Sequence, residues 1–147
     1  MKFSSLNKAI FNEFELPENA VIADLGCRDA AFLLGFVQAF PEKIKTAIGV
    51  DINDKGFKNI KYEKPIKLKV MNCAKKLKFK DNTFDLVFTK DMFECVPDKD
   101  FLVREIHRIL KPGGVVICVN CDWESIIYNG ENKKLISKAI HAYAVTK

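Results

Sequence analysis

The stretch VIADLGCRDA, residues 21–30, joins an apolar run to an acidic residue, a glycine and the start of a helical pattern. Apolar residues over 20–25 predict a buried strand. Residues 29–40 have the spacing of a helix that begins at Asp29. A strand, a glycine loop and a helix in this order are typical of a nucleotide-cofactor site, although Gly26 is the only glycine in this loop.

The same alternation continues along the chain. The other predicted elements are an N-terminal helix within 1–17, strands at 46–52, 65–72, within 80–89 and at 115–120, a short helix or turn near 55–60, and helices at 98–110 and 132–145. Alternating strands and helices predict an α/β fold, with a mostly parallel sheet and helices on both faces. No repeat or linker divides the chain, so we expect one domain over residues 1–147, with a core at 20–120 and a C-terminal helical segment at 121–147.

The third predicted strand identifies one edge of the sheet. In PIKLKVMN, residues 65–72, Lys67 and Lys69 alternate with apolar residues, and Pro65 begins the run. Lysines and proline are common on edge strands because they block pairing with another chain. With right-handed crossovers, this edge predicts the strand order 3-2-1-4-5. Ligands of such sheets bind where the winding reverses, which places the loop after the first strand at the binding crevice.

Both ends of the helix at 98–110 are predicted from the segment DKDFLVREIHRILKPGG, residues 98–114. Asp98 suits the N-cap position of this helix. The KPGG run at 111–114 predicts a turn that ends the helix and precedes the fifth strand, because proline and glycine stop helices.

Composition narrows the class of protein. Hydrophobic residues at 48% and charged residues at 29% suit an ordinary globular domain, and no apolar run reaches the ~20 residues of a membrane span. The first residues lack the apolar core of a secretory signal, which favours a cytoplasmic location. The net charge of +5 comes largely from lysines between 55 and 80. Aromatic residues do not interleave with them in a base-stacking pattern, so we expect a solvated face rather than a nucleic-acid surface.

The cysteines predict neither disulfides nor a metal site. Their number is five, which is odd, and their spacing is irregular, so a disulfide framework is not expected. Cys118 and Cys121 form a C-x-x-C pair, but a strand over 115–120 would separate them, and a zinc site needs three or four converging ligands.

Polar and small residues follow four of the predicted strands, at the edge where ligands bind. They are Asp24, Gly26 and Cys27 after the first strand, Asp51 and Ile52 after the second, Asn72 and Cys73 after the third, and Thr89 after the fourth. An acid in the position of Asp51 can accept hydrogen bonds from a ribose diol, and Asn72 can pair with a purine edge. Taken singly, Asp51 also suits a helix cap and Asn72 a turn, and the residues leave both alternatives open.

Four stretches together resemble the class I S-adenosylmethionine-dependent methyltransferases, in the small-molecule branch of the ubiquinone and menaquinone methyltransferases. They are VIADLGCRDA, IGVDIN, KLKFKDNTFDLVFT and VPDKDFLVREIHRILKPGGVVICV, which together span roughly residues 20–120. The pairing of TFDLVF with LVREIHRILKPGG is the most specific part, since the glycine loop alone would be weak evidence. The resemblance implies a Rossmann-like three-layer sandwich.

The resemblance also implies that S-adenosylmethionine is the cofactor, and it assigns the site residue by residue. By this assignment the methionine end is held by Asp24, Gly26 and the backbone of Cys27; the ribose by Asp51; the adenine by Ile52, Asn72 and the amide of Cys73; and Thr89 lies beside the methyl donor.

This chain departs from the family's pattern in two respects. Arg28 and Ala30 stand where the family has glycines, and the Arg28 side chain must either turn away from the pocket or fill it. The family's usual sheet has two further C-terminal strands, which this sequence does not supply. We therefore expect a sheet that ends at strand five, with a homodimer or a further C-terminal region completing it.

The function implied by the resemblance is methyl transfer to a small-molecule acceptor. An in-line displacement on a sulfonium methyl needs mainly proximity and alignment, so no catalytic side chain is assigned. The alternative is a catalytically inactive domain that binds S-adenosylmethionine or S-adenosylhomocysteine for regulation, which the arginine at position 28 suggests. A nicotinamide-dependent oxidoreductase is disfavoured, because its G-x-G-x-x-G loop is missing.

Overall fold

The computed structural model describes residues 15–59 and 64–120, together with the helical positions 134, 135 and 138. Its elements are β1 (Ala20–Leu25), α1 (Ala31–Ala39), β2 (Ile44–Asp51), a 3-10 turn (Phe57–Asn59), β3 (Ile66–Val70), β4 (Phe84–Lys90), a second 3-10 turn (Phe93–Cys95), α2 (Lys99–Ile109) and β5 (Leu110–Val119). The helix predicted within residues 1–17 and most of the segment 121–147 lie outside the described residues. Within the described part, no helix has the length and apolarity to cross a bilayer.

The five strands form one parallel sheet in the order β3-β2-β1-β4-β5. This is the predicted order, and the lysine-bearing strand β3 lies at the predicted edge. Lys67 and Lys69 are both exposed there, while Ile66 is buried. The alternation in sequence therefore reflects a strand with one covered face and one solvated face.

Helices cover both faces of the sheet and make three layers. On one face, Leu33 and Phe36 of α1 pack in a cluster with Ile22 and Phe88, and the rings of Phe36 and Phe88 lie 5.6 Å apart. Each fully buried side chain of this kind contributes about 1.5–3 kcal/mol to folding.

The other face is covered by α2. Its buried residues Leu102, Ile106 and Ile109 pack in a cluster with Leu25 and Val87 of the sheet. The Rossmann-like sandwich predicted from the sequence is thus confirmed.

α1 begins two residues later than predicted. Arg28 and Ala30 have φ angles of 49° and 52°, in the left-handed region that a right-handed helix excludes. The helix therefore starts at Ala31, and Asp29 acts from outside it, since its Oδ1 accepts the N–H of Ala31 at 3.2 Å.

The KPGG run was wrongly predicted as a turn before the fifth strand. α2 begins as predicted, with Asp98 Oδ1 accepting the N–H of Phe101 at 2.8 Å, but β5 starts at Leu110, directly after the helix. The pairing of β5 with β4 shifts within residues 111–114, where Gly113 has a φ of 78°. These residues form a bulge at the start of β5, and the left-handed glycine permits it.

A clamp between α2 and the segment before β4 was not predicted. The guanidinium of Arg108 donates to Glu105 at 2.9 Å and to the carbonyls of Leu77 and Phe79 at 3.1 and 2.9 Å. The buried carboxylate of Glu105 also accepts the N–H of Leu77 at 2.9 Å. The clamp fixes the chain that leads from the cleft wall after β3 into β4.

Candidate cofactor site

A cleft of about 640 Å³ opens at the carboxyl ends of β1 to β4. Its volume is within the ~300–1,000 Å³ of most small-molecule sites. Seven of the eight predicted site residues line it: Asp24, Gly26, Cys27, Asp51, Ile52, Asn72 and Cys73. The eighth, Thr89, is not part of the lining. The sheet thus brings together residues that are far apart in sequence, as expected for strand ends that share an edge.

The loop after β1 is fixed by the end of β2. The N–H groups of Gly26 and Cys27 both donate to the carbonyl of Val50, at 2.8 and 2.9 Å. Gly26 has a φ of 82°, and a Cβ at this position would lie 2.6 Å from Cγ of Met92. A side chain at residue 26 would therefore be strained and would also clash with Met92, which lines the cleft as well.

The carboxylate of Asp51 ties two loops together. Its Oδ2 accepts the N–H of Arg28 at 2.8 Å, and its Oδ1 accepts the N–H of Asn53 at 3.3 Å. Asp51 thus caps two loops, and it is not the helix cap that the sequence left open, since no helix of the described ranges begins at either contact. Each carboxylate oxygen can accept a second hydrogen bond, so the capping contacts leave room for ribose hydroxyls, whose binding stays a prediction.

Asp24 lies at the base of the cleft and is almost fully buried, with 2% of its surface exposed. Burial raises the pKa of its carboxyl well above the usual range, the charges of Asp51 and Asp29 raise it further, and Lys90 partly opposes them. None of the described residues donates a hydrogen bond to this carboxylate. A buried acceptor without a donor is costly, and a cationic ligand with N–H groups would satisfy it.

The two predicted cysteines form a neutral wall of the cleft. Cys27 and Cys73 are both buried, and burial raises the pKa of Cys73 to about 11 and that of Cys27 still further. Both groups are therefore thiols at neutral pH rather than nucleophilic thiolates. Neutral thiols agree with the roles that the resemblance implies, in which the backbone of Cys27 and the amide of Cys73, rather than their sulfur atoms, contact the cofactor. In the described part of the chain, His, Cys, Asp and Glu side chains do not gather in threes around any point that could hold a metal ion.

Asn72 and Ile52 lie on the side of the cleft formed by β2 and β3. Asn72 Oδ1 accepts the N–H of Ala74 at 2.8 Å, which is the turn role that the sequence left open. Its amide NH₂ can still donate to a ligand. Ile52 lies just beyond β2 and is 63% exposed, so its side chain is available to cover an apolar ring.

Thr89 lies apart from the cleft lining. Thr89 is only 1% exposed, and its Oγ1 has no hydrogen-bond partner among the described residues. In the sheet it stands between Leu25 and Cys118. Residues two apart on a strand face the same side of the sheet, so Thr89 faces the same side as Val87, which packs against α2. Its predicted place beside the methyl donor stays a prediction.

Several lining residues were missed by sequence reasoning. Phe32 of α1 and the residues Met92 and Val96 after β4 line the cleft with apolar surface. Lys90 also lines it and forms an ion pair with Asp91. Phe32 lies within the helix predicted at 29–40, and only the position of α1 over the strand ends shows which turn meets the cleft.

A family model described as a methyltransferase domain matches residues 23–118, which extend from β1 to β5 and include the whole cleft. The chain belongs to this methyltransferase family. The class of protein predicted from the sequence is therefore confirmed, and with it S-adenosylmethionine as the cofactor. The unpaired carboxylate of Asp24 fits the ammonium group of that cofactor.

Curated relatives of this methyltransferase domain carry the names of different methyltransferases. It is 29% identical over 116 residues to a sterol 4-C-methyltransferase of Caenorhabditis elegans, which covers 77% of this chain and 34% of that protein. It is 30% identical over 109 residues to a demethylmenaquinone methyltransferase of Bacillus cereus, covering 71% of this chain and 46% of that protein. The chain thus spans about a third to a half of the length of these relatives.

Solved structures share the fold of this methyltransferase domain. A S-adenosylmethionine-dependent methyltransferase from Aquifex aeolicus matches it with a TM-score of 0.70 and 17% identity, over 93% of this chain and 77% of that one. At that identity the likeness supports the sandwich architecture and nothing finer.

Proposed function

We propose that this methyltransferase domain transfers a methyl group from S-adenosylmethionine to a small, apolar acceptor molecule. The observation that carries the proposal is the buried carboxylate of Asp24 at the base of the cleft, which lacks a donor among the described residues. When bound, S-adenosylmethionine supplies a methyl group on a positively charged sulfur, which is a good leaving group.

The residues of the cleft would bind and orient the cofactor. Asp24 would accept hydrogen bonds from its ammonium group, and Asp51 would accept them from the ribose hydroxyls. Asn72 and Ile52 would contact the adenine. Four acidic side chains line the cleft, Asp24, Asp29, Asp51 and Asp91. Asp91 is paired with Lys90, and the charge of the other three suits a ligand with two positive groups.

The proposed acceptor class rests on the apolar residues of the cleft lining. Phe32, Met92 and Val96 give the cleft this apolar surface. Such side chains hold an apolar molecule by burial and exclude water from the reacting atoms. The curated relatives named for a sterol and for demethylmenaquinone support an apolar acceptor. The domain would contribute proximity and alignment rather than a dedicated acid or base.

A second candidate is an inactive domain that binds the cofactor for regulation. The observation that favours it is the arginine at the cleft, in a left-handed position where the family has glycine. Such a domain would bind S-adenosylhomocysteine tightly and would transfer no methyl group to any acceptor.

Calorimetry and a transfer assay separate the two functions. We expect S-adenosylhomocysteine to bind the wild-type chain and Asp24→Asn to weaken that binding about ten- to a hundredfold, since a charged hydrogen bond is worth about 1.5–3 kcal/mol. Asp100→Asn, an exposed acid on α2, is the matched control and should bind normally. Methyl transfer from labelled cofactor to a panel of sterols and quinols supports the enzyme. Binding without transfer to any of them supports the regulatory domain, and equal binding by Asp24→Asn contradicts the site.

A further inference from the structure

S-adenosylmethionine carries one anionic group, the carboxylate beside its ammonium. The acidic residues Asp24, Asp29 and Asp51 suit the positive groups of this ligand, and they would repel its carboxylate. A cation beside that group would balance its charge and favour binding of the whole molecule. Among the described lining residues, Arg28 and Lys90 are the two cations.

These two cations differ in their partners. Lys90 is already engaged, since its ammonium forms an ion pair with the carboxylate of the neighbouring Asp91. Arg28 is exposed, and no acidic residue of the described ranges forms an ion pair with it. Its guanidinium can therefore bind a ligand without first breaking a contact.

The backbone of Arg28 is held at the cleft by two contacts, at its N–H and at its carbonyl. Its N–H donates to Asp51 at 2.8 Å, and its φ of 49° turns the chain sharply. Its carbonyl packs on Gly56, where a Cβ would lie 2.2 Å from the carbonyl oxygen. The side chain thus starts from a fixed point beside Asp51, although its outer part is exposed.

We propose that Arg28 is a specificity-determining residue that binds the carboxylate at the methionine end of the cofactor. The inference rests on the proposed function, because it takes the cleft to be a cofactor site. A guanidinium binds a carboxylate through two parallel hydrogen bonds, which an ammonium cannot reproduce. The arginine in place of the family's glycine would then select ligands that keep their carboxylate, rather than obstruct the pocket.

Two ligands that differ in a single group test this role. S-adenosylhomocysteine has the carboxylate, and its decarboxylated counterpart keeps the ammonium and the nucleoside. We expect the wild-type chain to prefer S-adenosylhomocysteine about ten- to a hundredfold in calorimetry. In Arg28→Asn this preference should fall close to unity, while binding of the decarboxylated ligand stays unchanged. Asparagine is the choice because it tolerates left-handed backbone. Arg28→Lys should keep part of the preference.

Control variants assign the effect to one residue. Ala30→Gly alters the same loop without changing charge, and Lys90→Gln removes the other cation of the lining; both should keep the wild-type preference. A full preference in Arg28→Asn overturns the inference, and so does its loss in Lys90→Gln. If Arg28→Asn binds both ligands more tightly by the same factor, the arginine obstructs the cleft and the inference is again wrong. If the wild-type chain binds neither ligand, the proposed cofactor site fails, and the inference fails with it.

Discussion

Lys111 and Asp85 form an ion pair in which the Lys111 Nζ lies 2.9 Å from Oδ1 and 2.8 Å from Oδ2 of the carboxylate. The same Oδ2 accepts the N–H of Val21 at 2.8 Å. One carboxylate thus joins the starts of β1, β4 and β5. The two sequence stretches that carried the family resemblance most specifically, TFDLVF and LVREIHRILKPGG, meet through the Asp85 of the first and the lysine of the second.

Removal of this carboxylate should destabilise the sheet. Asp85→Ala leaves the Val21 N–H and the Lys111 ammonium without their acceptor, and an unsatisfied group of this kind costs about 1–3 kcal/mol. We expect a lower midpoint in urea unfolding. Asp100→Ala, which removes an exposed acid from α2, is the control and should shift the midpoint little. An unchanged midpoint for Asp85→Ala would show that the pair contributes nothing to stability.

The ionised carboxylate of Asp24 should lower the stability of the ligand-free domain, although it favours binding of a cationic ligand. Because its pKa is raised in the folded chain, the folded state holds this proton more tightly than the unfolded state. Its contribution to stability is present in full below the ordinary carboxyl pKa and is lost as the pH rises through the raised value. At neutral pH and without ligand, Asp24→Asn should therefore raise the free energy of unfolding by about 1–3 kcal/mol. The variant should unfold at a higher temperature than the wild type.

The same carboxyl gives ligand binding a pH dependence of known sign. A cationic group binds the ionised form, so the affinity for S-adenosylhomocysteine should rise with pH through the raised pKa of Asp24. Calorimetry across pH measures this slope, and Asp24→Asn should remove it. A slope that persists in the variant would assign the titration to another group.

Glycine substitutions at Arg28 and Ala30, the two left-handed residues of the loop after β1, should change the stability by different amounts. Arg28→Gly relieves a backbone cost of about 1–2 kcal/mol and loses no buried side chain, so after the entropy cost of glycine we expect a gain of about 0.5–1 kcal/mol without ligand. Ala30→Gly relieves the same cost but removes a buried methyl worth about 0.8 kcal/mol, so its net effect should be near zero. Thermal unfolding of both variants tests the pair, and equal shifts would contradict the role of burial.

Thr89 provides a test of the one predicted site residue outside the cleft lining. Thr89→Val keeps the shape of the side chain and removes a buried hydroxyl that has no partner among the described residues. We expect stability to stay level or to rise by up to about 1 kcal/mol. Affinity for S-adenosylhomocysteine should be unchanged. A loss of affinity would place the hydroxyl beside the methyl donor, as the family resemblance implied.

Much of the candidate site could be predicted because it depends on topology. Parallel strands place their carboxyl ends at one edge of the sheet, so Asp24, Asp51 and Asn72 had to lie near one another once the strand order was known. Thr89 followed the same reasoning and still fell outside the lining. Alternate residues of a strand face opposite sides, and Thr89 shares the α2 face with Val87, whereas Asp24 has the parity of Ile22 on the α1 face.

The sequence by itself determined the sheet and its strand order, because apolar periodicity and the lysines of β3 are local signals of burial and exposure. The family came from the resemblance of four motif stretches rather than from these patterns. Only the tertiary structure decided where α1 starts, how KPGG pairs with β4, and which charges of the cleft have partners. Those features depend on contacts between residues distant in sequence, such as the Asp51 carboxylate that holds Arg28 in its left-handed turn. A strand pattern cannot predict them, since the free energy of each is set by neighbours that only folding brings together.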